Sequence, residues 1–163
     1  MKLLTIAAAV LVPILAIGKE TTQLTQGFAH WIAEEFEDEP SNPERLNQDA
    51  DPDQDGLSNL MEYALDTDPL FPSNRLPMSS KVDATGITYT YSADTSKSDI
   101  RYQVEMSRDL RTWSRVDSET LKAKGSIEVR AAKVPMSNEP VFVRLTVRPA
   151  NLDRLAKKPV RRS

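Results

Sequence analysis

The chain has 163 residues, a formal net charge of -3 and no cysteine. That length suits one or two small domains, and the missing thiols exclude disulfides, zinc–thiolate sites, thiol catalysis and a lipoprotein cysteine. A net negative charge gives no basis for nucleic acid as a partner, which calls for a basic patch within a fold.

The chain opens MKLLTIAAAVLVPILAIG. Lys2 supplies a positive start, Leu3 to Leu15 an apolar run, and Ala16-Ile17-Gly18 the small residues that a signal peptidase reads. The run is about 16 residues, short of the roughly 20 that span a bilayer. Residues 1–18 are therefore expected to be a cleaved signal peptide, with no integral membrane segment after cleavage. A secreted protein is the consequence, in the periplasm, at the cell surface or outside the cell.

Residues 19–48 read as an N-terminal helix and linker. Phe28, Trp31, Ile32 and Phe36 recur at i, i+3, i+4 and i+8 and make one apolar stripe, and Pro40 stops it. The acidic group Glu34, Glu35, Glu37, Asp38 and Glu39 is expected to be a solvated face. SNPERLNQ holds too many helix breakers to continue the helix.

Residues 49–70 form a carboxylate loop and a helix. Counted from Asp51, Asp53 and Asp55 fall at positions three and five, Gly56 at six, Leu57 at seven, Asn59 at nine and Glu62 at twelve. This fits D-x-[DN]-x-[DN]-G-x5-E, a calcium loop. Calcium is a hard cation that takes six to eight oxygens. Alternate residues of a curled loop turn inward, so the three aspartates converge. Gly56 permits the sharp turn. Leu57 offers its backbone carbonyl, Asn59 an amide oxygen or a held water, and Glu62 closes the site from the following helix. Without an ion these carboxylates repel; at an effective dielectric constant near 20, one pair about 4 Å apart costs on the order of 4 kcal/mol. Magnesium suits the set less well, because it prefers a small octahedral shell with retained waters. Leu57, Leu60, Met61, Ala64 and Leu65 form the packing face of the helix. Asp66 and Asp68 are read as turn or cap residues at its end, with a place as further ligands as the alternative.

Residues 71–85, rich in proline and serine, read as a second linker. From residue 86 to 150 the hydrophobic period is two. Ile87, Tyr89, Tyr91 and Ala93 share a face, as do Ile100, Tyr102, Val104 and Met106. Ile127 with Val129, and Val141, Val143, Leu145 and Val147, repeat the pattern. Trp113–Val116 adds a short strand with Trp113 as a core plug, and the region of Leu121 another. Short alternating strands with polar turns predict a mainly β fold: a small antiparallel β-sandwich preceded by a short helix and the calcium loop–helix segment. The basic tail, 151–163, is expected to be a solvated terminus.

The loop lacks an entering helix and a second complete partner, and carries Ser58 at position eight. It resembles the half-hand loops of dockerins and thrombospondin type 3 repeats, which are structural calcium modules. The order DPDQDGLSNLMEYALDTDPL, YQVEMSRDLRTW and VFVRLTV also resembles modules at the C-termini of secreted and surface proteins of planctomycete and verrucomicrobial bacteria. That resemblance implies a calcium-bound structural or surface module without catalytic activity.

No catalytic site is expected. His30 is the sole histidine and sits beside Trp31 on a helix, and the chain's five glycines form no phosphate loop. The expected role is a calcium-stabilised structural or interaction module of the bacterial envelope or exterior, whose partner is another envelope or extracellular protein, or polysaccharide. The alternative is carbohydrate binding by the sandwich through Tyr89, Tyr91, Tyr102 or Trp113.

Overall fold

The computed structural model describes residues 27–37, 42–135 and 139–150. The expected signal peptide and basic tail lie outside the described residues. Two short helices, α1 (Phe28–Glu35) and α2 (Asn59–Leu65), precede seven strands. These are β1 (Met78–Asp83), β2 (Gly86–Asp94), β3 (Ile100–Ser107), β4 (Trp113–Val116), β5 (Ser118–Lys124), β6 (Ile127–Pro135) and β7 (Phe142–Pro149). They form two antiparallel sheets in a sandwich-like arrangement, ordered β1-β2-β6-β5 and β4-β3-β7.

The period-two pattern sets which faces meet. Tyr91 and Ala93 from one sheet and Val104 and Leu145 from the other are buried in one cluster with Ala132. The rings of Tyr91 and Tyr102 stack between the sheets with centroids 6.1 Å apart. Burial of such side chains contributes roughly 25 cal/mol per Å² of apolar surface.

Helix α2 closes this core. Leu65 joins the Tyr91 cluster, while Leu60, Tyr63 and Ala64 form a second cluster with Ile100. Of the expected packing face, Leu60, Ala64 and Leu65 are buried and Leu57 and Met61 half-buried; Asn59, Glu62 and Tyr63 are buried as well, so α2 is covered on more than one side. Helix α1 lies on α2 through two aromatic contacts, Phe28 with Tyr63 at 5.8 Å and Trp31 with Tyr63 at 5.5 Å, and Phe28 packs on Trp31 within α1 at 5.9 Å. Asp99, from the β2–β3 turn, accepts bonds from Phe28 N (2.8 Å) and Tyr63 Oη (3.0 Å). It ties both helices to the sandwich. A Cβ at Gly27 would stand 2.5 Å from Asp99 Oδ2, so the close approach calls for glycine.

Three features differ from the sequence reading. The stretch read as a linker over 71–85 contains β1, whose Met78–Asp83 pair with Tyr91–Gly86. β1 is an edge strand of mostly exposed residues, so the backbone ladder rather than an apolar face defines it.

The inner face of β6 is also the other one. Tyr89, Tyr91 and Ala93 stand opposite Ala132, Arg130 and Glu128. Directly opposed residues share a face, so Ile127 and Val129 point away from the core, and Ile127 is exposed.

Trp113, finally, is no core plug. It stands opposite Ser107, on the face that carries Glu105, away from Val104. Its ring lies under the Arg144 guanidinium, 3.8 Å from the centroid. Glu105, nearly buried on that face, accepts from Arg144 and from Arg148, each at 2.8 Å.

Candidate metal centre

The chain enters the carboxylate loop through successive turns over residues 42–50, held by bonds such as Arg45 N to Asn42 O (3.1 Å) and Asn47 N to Glu44 O (3.3 Å). No helix leads in. Inside the loop the aspartates fold the backbone around themselves. Gly56 N donates to Asp51 Oδ2 (3.0 Å), Asp55 N to Asp53 Oδ1 (3.1 Å) and Leu57 N to Asp55 Oδ1 (2.8 Å). Gln54 and Gly56 take left-handed backbone with φ of 64° and 92°. A Cβ on Gly56 would meet nothing within 4 Å, so its glycine serves conformation rather than space.

The result brings together one oxygen each from Asp51, Asp53 and Asp55, all within 4.8 Å of one another. Acidic clusters are common on surfaces. What marks this one is the state of its neighbours. Asn59 and Glu62 are both fully buried, at 0% exposure. Four oxygens of the loop set are buried without a hydrogen-bond partner among the described residues: Asp51 Oδ1, Asp53 Oδ2, Asn59 Oδ1 and Glu62 Oε2. A buried acceptor left unmatched costs about 1–3 kcal/mol, and more if charged.

The orientation of Asn59 follows from its partners. Its Nδ2 donates to Arg45 O (2.7 Å) and Asn47 O (2.8 Å). Carbonyls only accept, so the amide nitrogen must face them and Oδ1 must face away. The loop entrance is pinned further by Asn59 N to Ala50 O and Leu60 N to Gln48 O.

Glu62 lies in the first turn of α2. Burial first, then the charges of Asp53, Asp55 and Asp51, push its carboxyl up to about 8, with a bond from Thr67 acting the other way. Glu62 is not one of the three residues whose oxygens lie within 4.8 Å of one another. Burial, with Asp55 and Asp51, raises Asp53 as well, against the amide of Asp55. Such strain is relieved by protonation or by a cation.

The six residues expected from the sequence are therefore placed unevenly. Asp51, Asp53 and Asp55 converge, while Glu62 and Asn59 each present a buried oxygen without a partner among the described residues. Leu57 is half-buried and gives its amide to Asp55. Asp66 caps α2 in left-handed backbone, φ 54°, and pairs with Lys97; Asp68 accepts from Leu70 N (2.9 Å). Both act in the turn. Outside the loop, Ser73 N donates to Asp55 Oδ2 (2.9 Å) and Thr67 Oγ1 to Glu62 Oε1 (3.5 Å). No residue pattern announced these supports, because they come from segments beyond the twelve-residue spacing.

No protein-family model, curated protein or solved structure matches this chain. Among the described residues, no helix is long and apolar enough to cross a membrane.

Proposed function

We propose that the chain is a secreted calcium-binding structural or interaction module of the bacterial envelope or exterior, with the ion held by Asp51, Asp53, Asp55, Asn59 and Glu62 and by the carbonyl of Leu57. The observation that carries this reading is the set of four buried, unpartnered oxygens around a converging aspartate trio. All are hard donors, which suits calcium. Metal binding here is folding energy for the loop and α2, since the set is unfavourable when empty and charged. The role is structural rather than catalytic: His30 lies on the surface 3.3 Å from Glu34, remote in kind from any nucleophile–base pair.

Calorimetric titration of chelated protein tests this. Calcium should bind at one site with a dissociation constant of about 10⁻⁴ to 10⁻³ M, the range of extracellular modules. Magnesium should bind more weakly, and Asp51→Ala should not bind calcium. Absence of calcium heat from a folded protein would exclude the reading.

A second reading, carbohydrate binding, has one observation in its favour: Trp113 stands on the outer face of its sheet rather than in the core. The tyrosines speak against it, since Tyr91 is buried and Tyr102 gives its hydroxyl to Ala64 O at 2.7 Å. A glycan array with folded Trp113→Ala separates the two.

A further inference from the structure

A cleft of about 600 Å³ opens at the edge of the sandwich where β4 stops. β4 pairs with β3 only over Val104–Ser107, so on that side Ile100 to Gln103 has no strand beside it. The chain then passes Asp117 and starts β5 in the other sheet. The gap between the two sheet edges is the cleft. Its size falls within the roughly 300–1,000 Å³ of small-ligand pockets.

Its lining carries four cations, Lys97, Arg101, Arg115 and Arg130, against two carboxylates, Asp94 and Asp117. Arg130 sits on the inner face of β6, opposite Tyr91. Its Nη2 donates to Ser118 O at 3.3 Å, and its Nη1 lies a loose 3.8 Å from Glu128. Its Nε is buried and has no acceptor among the described residues. Arg115 is 3.7 Å from Asp117, with both side chains mostly exposed. Arg101 donates only to the carbonyls of Ser98 and Ile100, which satisfy its N–H groups without cancelling its charge. Lys97 also lines the cleft but is committed to Asp66.

We propose that this cleft binds a small ligand through an oxyanion, a carboxylate or a sulfate, held among the guanidinium groups of Arg130, Arg115 and Arg101. Guanidinium edges match planar or tetrahedral oxyanions, and such bonds are charge-assisted. None of these residues belongs to the metal loop, so the proposal stands apart from the calcium reading.

The test is amide NMR of the full chain in excess calcium at constant ionic strength. Sodium sulfate, sodium glucuronate and glucose are titrated in turn. The charged probes should give saturable shifts confined to residues 93–104, 115–118 and 128–132, and glucose should give none. Arg130→Gln should weaken the response about tenfold. Arg115→Gln, an exposed change that leaves the fold intact, should weaken it about threefold, so the proposal is still decided if Arg130→Gln does not fold. Saturation by glucuronate beyond sulfate identifies an acidic saccharide as the source of the oxyanion; equal saturation identifies a free anion. Non-saturating shifts, a glucose response equal to that of glucuronate, or unchanged affinity in the folded variants would overturn it.

Discussion

Asp55 holds a local and a distant backbone amide at once: Leu57 N on Oδ1 at 2.8 Å and Ser73 N on Oδ2 at 2.9 Å. The third carboxylate of the loop thereby joins the loop to the chain that leads into β1. Asp55→Ala removes both bonds, each worth about 0.5–1.5 kcal/mol or more for a charged acceptor. The variant should be less stable by about 1–3 kcal/mol even in chelator, and calcium should no longer slow hydrogen exchange at Ser73. Urea melts and amide exchange read the two effects separately.

Glu62→Gln separates charge from shape. The amide has the size of the carboxyl but not its charge, so the repulsion from Asp53, Asp55 and Asp51 is removed. At pH 8 the metal-free variant should melt above metal-free wild type. It should gain little from calcium, because a neutral amide is a poor replacement for a closing carboxylate. Paired melts with and without chelator check both.

The same group gives the metal-free protein an unusual pH dependence. Glu62 is held at about 8 in the fold against an ordinary 4.5. The folded state binds this proton more tightly than the unfolded state does. Its stabilising share is complete below about pH 4.5 and is lost as pH rises to about 8. In chelator the melting temperature should fall across that window. Saturating calcium should flatten the fall, since the ion replaces the proton, and Glu62→Gln should abolish it.

Much of this architecture is legible in the sequence, and the exceptions have physical causes. β2, β3 and β7 each carry a face of large residues such as Tyr91, Val104 and Leu145, which only a buried side explains. β6 misleads because its inner positions include the small Ala132 and the polar Glu128 and Arg130, while Ile127 and Val129 stand outside. β1 has little apolar signal because an edge strand is specified by its ladder to β2. The proposed ligands stand out in the sequence because coordination would impose such a spacing. The clip made by Asn59 Nδ2 on Arg45 O and Asn47 O does not, because any residue supplies a carbonyl.

Asp99 should be the main tether between the helices and the sandwich. Asp99→Ala leaves Phe28 N and Tyr63 Oη without their acceptor, at a cost of about 2–4 kcal/mol for the two bonds. Burial first, and then Asp99, raise the Tyr63 hydroxyl above its ordinary range, so it remains a donor at neutral pH. Exchange at residues 28–36 should accelerate more than exchange in β3.

On the outer face of the β4-β3-β7 sheet, Glu105 balances Arg144 and Arg148. Glu105→Ala should cost about 1–2 kcal/mol, less than a fully buried pair because both arginines reach solvent. It should also release Arg144 from Trp113, seen as a change in tryptophan fluorescence.

The most direct test of the central claim is hydrogen exchange and thermal melting of the same sample in chelator and in calcium. With calcium at about a hundredfold over its dissociation constant, the fold should gain about 2.7 kcal/mol. Residues 51–65 should become the most strongly slowed segment, and Glu62→Gln should erase both changes. Identical melting temperatures and identical exchange at residues 51–65 in chelator and calcium would contradict the account.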